Sequence, residues 1–342
     1  MDRNTVNIIK IGLSVLMAGG LLWLSFRGVQ WPAFIEGIKS CKWAFVALSL
    51  LIGAVSFWIR ALRWRELLLP IDPHTKKNTV LNAINISYVV NMLIPRGGEL
   101  VRCGIITRHS AKDKDGARLA GFDKVVGTVV VDRVWDTVVT IFILLGVFYA
   151  FRRKWGDFFE ERMEATNFSS LWIILLLALA AVLVVVLSYA LRSRGGLFAK
   201  VWKFFHGIIS GIRQSLKMKA WWKFITYTVL LWTCYWGTSY AVLLALSGSG
   251  MGFESLGPLD GVFLMGVGAI ASIIPVPGGF GAYHYLVSAS LATVYGIPPE
   301  QGMIFAVLSH ETQIIVQMLC GAGSYVHETV RRTAATETID KK

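Results

Sequence analysis

The sequence has few cysteines and few charged residues for its length of 342 residues. The four cysteines lie far apart and form no CxxC pair, so they indicate neither a zinc site nor a disulfide framework. Charged residues make up only 16% of the chain, against about 25% in soluble domains, and hydrophobic residues make up 55%. These values argue against an ordinary soluble enzyme and against a disordered chain.

Common catalytic and nucleotide-binding motifs are also missing. The six histidines show no HExxH spacing, and no Lys-Ser/Thr follows the glycines near 280 as it would in a Walker loop. We therefore expect no metal, no cofactor and no ATP site, and we assign no catalytic residue. The net charge of +13 comes from short basic stretches between apolar runs, which is typical of a membrane protein and not of a nucleic-acid binder.

Long apolar runs predict an all-α integral membrane protein with one domain over 1–342. A helix needs about 20 apolar residues to cross about 30 Å of hydrocarbon. The uninterrupted runs of this length are 7–26, 43–64, 168–191, 222–247 and 301–326. A sixth run, 125–151, is long enough but carries Asp132, Arg133 and Asp136. We predict a helical bundle with about six spanning helices.

Two further apolar runs are interrupted in the middle. They are 79–108, with the break Pro95-Arg96-Gly97-Gly98-Glu99, and 259–296, with the break Pro275-Val276-Pro277-Gly278-Gly279-Phe280-Gly281. Proline ends a helix and glycine permits a tight turn. We predict two re-entrant hairpins of opposite orientation, the pattern of an inverted-repeat transporter. The alternatives are ordinary spans kinked by Pro and Gly, or a second run divided into two short spans.

The basic stretches predict the orientation. The connection 192–223 holds basic residues and no acidic residue, so we expect it in the cytoplasm. Its apolar residues recur at helical spacing, which predicts an amphipathic helix lying on the inner surface. Other stretches assigned to the cytoplasm are Arg60, Arg63, Arg65, Lys76, Lys77 and the tail 327–342. The connection around Glu254 is assigned to the outside, and the loop 152–164 is compatible with the outside. These assignments agree if each broken run enters and leaves on one side, and six crossings then place both termini in the cytoplasm.

The first break carries charges that are costly inside a membrane. A charged side chain at mid-membrane costs about 2.5–3.5 kcal/mol on insertion scales, so we expect Arg96, Glu99 and Arg102 at a hydrated site. Glu99 and Arg102 are three residues apart and are predicted to pair. Gly97 and Gly98 would let a ligand approach the backbone, and free amides with Arg96 would hold phosphate oxygens. The alternative is that Glu99 and Arg102 form a structural ion pair.

Two other groups of polar residues lie within apolar runs. Arg133 is expected either in the same cavity as Arg96 and Arg102, or in a structural lock with Asp132 and Asp136. The second break has no charge, so we expect backbone coordination or a pivot there. His284 is interpreted as a hydrogen-bonded structural residue or a proton carrier. His310 and Glu311 are interpreted as coupling residues or as polar packing, with Glu311 protonated or paired with an arginine.

Together these motifs resemble the lysylphosphatidylglycerol synthase transmembrane region family. The resemblance rests on Asn91-x-x-x-Pro95-Arg96-Gly97-Gly98-Glu99-x-x-Arg102, on Asp132-Arg133 and on the second break, and it covers 7–326. This family is the flippase-like membrane half of the bacterial multiple peptide resistance factors and their stand-alone relatives. The resemblance implies an inner-membrane bundle in which the first break forms one functional loop and Pro275 to Gly281 another. Because no soluble aminoacyl-transferase domain follows, we do not expect the chain to make lysyl-lipid.

We therefore expect a lipid transporter, or flippase, of the bacterial cytoplasmic membrane. Arg96, Arg102 and Arg133 would neutralise the phosphate of an anionic lipid, and Glu99 would orient Arg102 or bind a cationic group. One alternative is a membrane-embedded transferase with Glu99, Asp132 or His310 as base. Another is a non-transporting subunit of a lipid-synthesis complex. The expected partners are membrane lipids, with a second copy or a lipid-synthesis enzyme as further candidates, and not nucleic acid.

Overall fold

The chain is helical throughout the part that the structure describes. The computed structural model describes residues 16–27, 29–164, 196–248 and 250–340. Within these ranges there is no β-strand, and the only strand-like pairing is an isolated bridge between Lys112 and Arg118. The all-α prediction is confirmed for these residues. The predicted span 168–191 and the start of the span 7–26 lie outside them.

Eleven α-helices make up the described ranges. They are α1 (Leu16–Phe26), α2 (Trp31–Lys39), α3 (Trp43–Leu68), α4 (Lys77–Leu93), α5 (Gly97–His109), α6 (Phe122–Glu164), α7 (Gly196–Ser215), α8 (Trp221–Leu246), α9 (Pro258–Ala271), α10 (Ala282–Tyr295) and α11 (Pro299–Asp340). A single 3-10 turn, Pro277–Gly279, lies between α9 and α10. Both interrupted runs are therefore helix–break–helix units, as predicted.

Three of the described helices are long and apolar enough to cross a membrane. They are α3, α8 and the part of α11 from Pro299 to Arg331. Their positions agree with the predicted spans 43–64, 222–247 and 301–326. The helices α1 and α9 are apolar but shorter. The chain is thus an integral membrane protein, while the total of six crossings and the positions of the termini stay predictions.

Two helices extend beyond the apolar runs that predicted them. The helix α6 continues through 152–164, which we had assigned to a loop. The helix α11 continues to Asp340, through most of the predicted tail 327–342. Neither stretch contains proline, and charged residues such as Glu, Lys and Arg are good helix formers. Loss of hydrophobicity marks the end of an apolar run, but it does not end a helix.

Two hydrophobic clusters hold the bundle together. The first joins α3, α4, α5 and α6 around the fully buried Trp64 and Leu67. The second joins α8, α9, α10 and α11 around Leu246 and Phe305. The helix α11 contributes to both clusters, because Phe305 lies in the second and Val316 in the first. The short α2, which sequence analysis did not identify, packs on α11.

The predicted amphipathic helix in the connection 192–223 is present as α7. It packs on the first turns of α6 through two glycines. A Cβ atom on Gly211 would overlap the carbonyl of Lys124, and one on Gly127 would overlap the carbonyl of Ile208. Part of the polar connection is therefore attached directly to the helix that carries Asp132. Whether its outer face lies on a membrane surface stays a prediction.

Candidate functional site

The first break is shaped by Pro95 and Arg96. Ile94 has extended φ and ψ angles of −126° and 108°, as expected before a proline. Arg96 then takes φ 63° and ψ −2°, and it is the only non-glycine residue with positive φ in the described ranges. This left-handed residue reverses the chain so that α5 packs back against α4. Strained backbone of this kind concentrates at functional sites.

The glycines after Arg96, which the sequence predicts to let a ligand approach the backbone, pack closely against α4 in the structure. A Cβ atom on Gly98 would overlap the carbonyl oxygen of Ser87, so only glycine permits the contact between α5 and α4. The amide of Gly97 donates to the carbonyl of Ile94 at 3.0 Å, and that of Gly98 donates to Asn91 Oδ1 at 2.8 Å. The amides of Gly97 and Gly98 are thus hydrogen-bonded within the chain, and the anion site expected at this helix start stays a prediction.

The exposed side chain of Arg96 joins the two breaks. Its Nη2 lies 3.4 Å from the carbonyl of Ser272 and 3.5 Å from that of Ile273. These two residues directly follow α9 and carry carbonyls at the C-terminal end of that helix, where a positive charge is favoured. The 3-10 turn of the second break also packs against α4. The two interrupted runs thus meet at their breaks.

A buried lattice of ion pairs lies behind the first break. Arg63 on α3 donates to Asp132 Oδ1 at 2.6 Å and contacts Asp136 Oδ1 at 2.6 Å. Arg102 Nη1 on α5 lies 3.6 Å from Asp132 Oδ2, and Arg60 Nη2 on α3 lies 3.7 Å from Asp136 Oδ2. The side chains of Arg63 and Asp132 are completely buried. We call these five residues the charge lattice.

Sequence analysis missed the two arginines of α3. Arg60 and Arg63 were assigned to a cytoplasmic surface, but both lie inside the bundle, and Arg60 Nε also donates to the hydroxyl of Tyr235 at 2.9 Å. Their spacing of three residues at the end of an apolar run places them on one helical face. This spacing in the sequence could have indicated that the two arginines share an acidic partner, which is Asp136. The predicted lock around the aspartates exists, but Arg60 and Arg63 of α3 and Arg102 of α5 supply its guanidinium groups instead of Arg133.

Glu99 and Arg133 form a separate, more accessible pair. Arg133 Nε donates to Glu99 Oε1 at 2.7 Å, and the two side chains are 39% and 23% exposed. The predicted pairing of Glu99 with Arg102 is therefore wrong. Neighbouring residues on a helix point about 100° apart, so Arg133 turns outward while Asp132 turns inward. Arg96 and Arg133 are accessible, whereas Arg102 is 2% exposed and lies over the Trp64 ring at 4.6 Å.

The second break is a turn of glycines packed between α1 and α11. Gly278, Gly279 and Gly281 all have positive φ. A Cβ atom on Gly281 would also lie 2.8 Å from the carbonyl oxygen of Ala18, so glycine lets α1 cover the turn. The imidazole Nε2 of His310 lies 3.0 Å from the carbonyl of Gly278. The motif at Pro275–Gly281 is therefore held by neighbours on both sides.

Three polar side chains meet beside this turn. Glu311 Oε1 on α11 lies 3.1 Å from Nδ1 of His310 and 3.5 Å from Nε2 of His284 on α10. The two imidazoles are almost completely buried, whereas the Glu311 side chain is 37% exposed. One sequence prediction pairs Glu311 with an arginine of another helix. In the structure its carboxylate contacts the two histidines instead. We call these three residues the histidine cluster.

Comparison with known proteins identifies the family. The model of the lysylphosphatidylglycerol synthase TM region matches residues 7–321. The chain belongs to this family. The match includes both breaks, all five residues of the charge lattice and the histidine cluster.

Two curated relatives of this lysylphosphatidylglycerol synthase TM region protein are similar at low identity. One is the glycosyltransferase AglD of Haloferax volcanii, 26% identical over 86% of the chain, and the chain spans only 50% of the length of that relative. The other is the UPF0104 membrane protein PH1989 of Pyrococcus horikoshii, 24% identical over 84% of the chain and 86% of the relative. No solved structure matches the chain.

Proposed function

We propose that this protein moves an anionic lipid, or a headgroup linked to a lipid, from one leaflet of its membrane to the other. The contact that carries the proposal is that between Arg96 and the carbonyls of Ser272 and Ile273, because it joins two helix breaks from different halves of the chain. Breaks of this kind mark substrate sites in inverted-repeat transporters. The membership of the family and the apolar spans support a role at lipids.

The accessible cations suggest how a headgroup would bind. Arg96 is exposed and Arg133 is partly exposed, so both guanidinium groups are open to a phosphate. Guanidinium groups hold phosphate oxygens in a two-pronged geometry. Arg102 does not contact the phosphate in this proposal, because it is buried beside Asp132. Its ion pair with Asp132 holds α5 against α6. Glu99 orients Arg133.

The hydrogen bonds that join the two breaks can be broken at a low cost in free energy. Both hydrogen bonds of Arg96 are longer than 3.2 Å, the usual upper limit for a good N–H to O bond. A phosphate can therefore replace the two carbonyls as the partner of Arg96. Movement of the hairpins about their breaks would then carry the headgroup past the charge lattice, which stays rigid. No nucleotide site is proposed, so the motion is passive or coupled to an ion.

Reconstitution tests this proposal. Purified protein in liposomes should accelerate the flipping of fluorescent phosphatidylglycerol, followed by chemical quenching of the outer leaflet. Arg96→Ala should reduce that acceleration at least about tenfold, since a charge-assisted hydrogen bond contributes about 1.5–3 kcal/mol. Arg108→Ala, an exposed arginine at the other end of α5, is the matched control and should flip like wild type. Wild-type protein that accelerates none of a panel of anionic lipids would reject the proposal.

A transferase is the second candidate, because one relative is named a glycosyltransferase. Among the bases considered from the sequence, Asp132 binds Arg63, and Glu99 binds Arg133. Both carboxylates already have a guanidinium partner, which leaves His310 as the candidate. Formation of a glycosylated lipid from a lipid and an activated sugar would support this function, and its loss in His310→Ala would assign the base. Co-purification of a lipid-synthesis enzyme with a chain that is inactive alone would instead favour a subunit role.

A further inference from the structure

We propose that His284, His310 and Glu311 bind a divalent transition-metal ion, with Zn²⁺ as the best fit. The three residues come from α10 and α11, and their potential ligand atoms all lie within 4.8 Å of one another. Two imidazoles and one carboxylate form a donor set that zinc uses where a fourth position stays open. The inference concerns binding alone and does not rest on the transport proposal.

The hydrogen bonds of His310 carry the argument. Its Nε2 lies 3.0 Å from the carbonyl of Gly278, which can only accept, so Nε2 bears the proton. In a neutral imidazole, Nδ1 then has a lone pair, yet it faces Glu311 Oε1 at 3.1 Å. Two acceptors this close repel each other unless a cation lies between them. That cation is either a proton, held by His310 or by Glu311, or a metal ion.

The position of His284 distinguishes these two cations. Its Nε2 lies 3.5 Å from the same carboxylate oxygen, beyond the usual 2.7–3.2 Å of a good hydrogen bond. A proton between His310 and Glu311 accounts for the short contact but gives the second imidazole no role, whereas a metal ion would take all three side chains as ligands. Zinc bonds to nitrogen and oxygen of about 2.0–2.2 Å, set at tetrahedral angles, place neighbouring ligand atoms roughly 3.3–3.5 Å apart. The separations of 3.1 and 3.5 Å are close to that spacing, and all three ligand atoms lie within 4.8 Å of one another.

The surroundings have two further properties of a metal site. The carbonyl of Gly278 fixes the tautomer of His310, as outer hydrogen-bond partners do for zinc ligands. The partly exposed carboxylate of Glu311 gives an ion a path to the buried imidazoles. A bound ion would tie α10 and α11 to the second break through Gly278. Its fourth position would take water or an oxygen of another ligand.

Zinc binding by the full chain tests the proposal. Protein purified in detergent with a tag free of histidine is titrated with Zn²⁺ against a coloured chelator, and we expect one equivalent per chain. His284→Ala and Glu311→Gln should each weaken the affinity by more than about 100-fold, since even loss of an outer partner costs 10–100-fold. His74→Ala, an exposed histidine between α3 and α4, should bind as wild type does.

Two further measurements make the outcome unambiguous. Circular dichroism and gel filtration establish that each variant is folded, and Glu311→Gln keeps the shape of the side chain if His284→Ala is unstable. X-ray absorption of the zinc-loaded protein should show imidazole nitrogens and oxygen at about 2.0–2.2 Å. Folded wild-type protein that binds zinc only substoichiometrically, equal affinity in wild type and both cluster variants, or sulfur ligands would each overturn the proposal.

Discussion

The two interrupted runs share a helix–break–helix form but differ in chemistry. Behind the first break, the charge lattice pairs each aspartate with two arginines, and the glycines serve packing. The second break has no charged residue of its own, and in the adjacent histidine cluster two buried imidazoles face one partly exposed carboxylate. The backbone pattern therefore determines where the chain turns. Neighbouring helices determine whether the turn becomes a rigid support or an open site.

The largest expected effect tests whether the lattice is the rigid region. Asp132→Asn would leave Arg63 and Arg102 buried without their shared counter-charge, so we expect a loss of about 3–5 kcal/mol in the free energy of unfolding. Glu311→Gln removes a carboxylate that is 37% exposed, and in metal-free protein it should change that free energy by less than about 1 kcal/mol. Unfolding in mixed micelles measures both. Equal losses would show that the two regions do not differ in this way.

The next effect concerns the glycines of the first break. Gly98→Ala would force α5 away from the Ser87 carbonyl, and we expect it to destabilise the protein by roughly 1–3 kcal/mol. Gly104→Ala lies on the same helix with no atom near the new methyl group, so it should stabilise by about 0.5–1 kcal/mol through helix propensity. Thermal unfolding of the two variants measures the difference. Similar stability for both would contradict the packing role of Gly98.

The smallest effect separates the accessible pair from the lattice. A double-mutant cycle on Glu99 and Arg133, with Glu99→Gln and Arg133→Gln, should give a coupling energy of about 0.2–1 kcal/mol that decreases with salt. The same cycle on Asp132 and Arg63 should give a larger coupling that salt hardly changes, because both side chains are completely buried. If the outer pair couples as strongly as the buried one, Arg133 belongs to the rigid region and is not free to bind a headgroup.

Local sequence patterns predicted the backbone well. The apolar runs located α3, α8 and α11 to within a few residues at most ends, and Pro95 and Pro275–Gly281 located both breaks. These features depend on neighbouring residues in the chain, since hydrophobic length and missing amides act locally. The polar ends of α6 and α11 were not predicted, because the sequence contains no equally strong signal where a solvated helix ends.

Side-chain partners were predicted poorly. The sequence identified Glu99, Arg102, Asp132 and Arg133 as unusual, but it paired Glu99 with Arg102 because they are close in the chain. The observed pairs join α5 to α6 and α3 to α6, at separations of 34 and 69 residues. Local spacing gives no information about contacts of that length. Packing sets the rotation of each helix about its axis, and this rotation determines which charged side chains meet.

By itself, the sequence determined that this chain is a helical membrane protein with two broken helices and an unusual set of buried charges. Hydrophobic length, proline and glycine act within one segment, and a charge in an apolar run is costly unless it finds a partner or water, so the sequence alone marks it as unusual. Only the tertiary structure decided which charges cancel and which stay accessible. It also brought His284 to His310 and Glu311, because a cluster between two helices exists only once those helices are packed together.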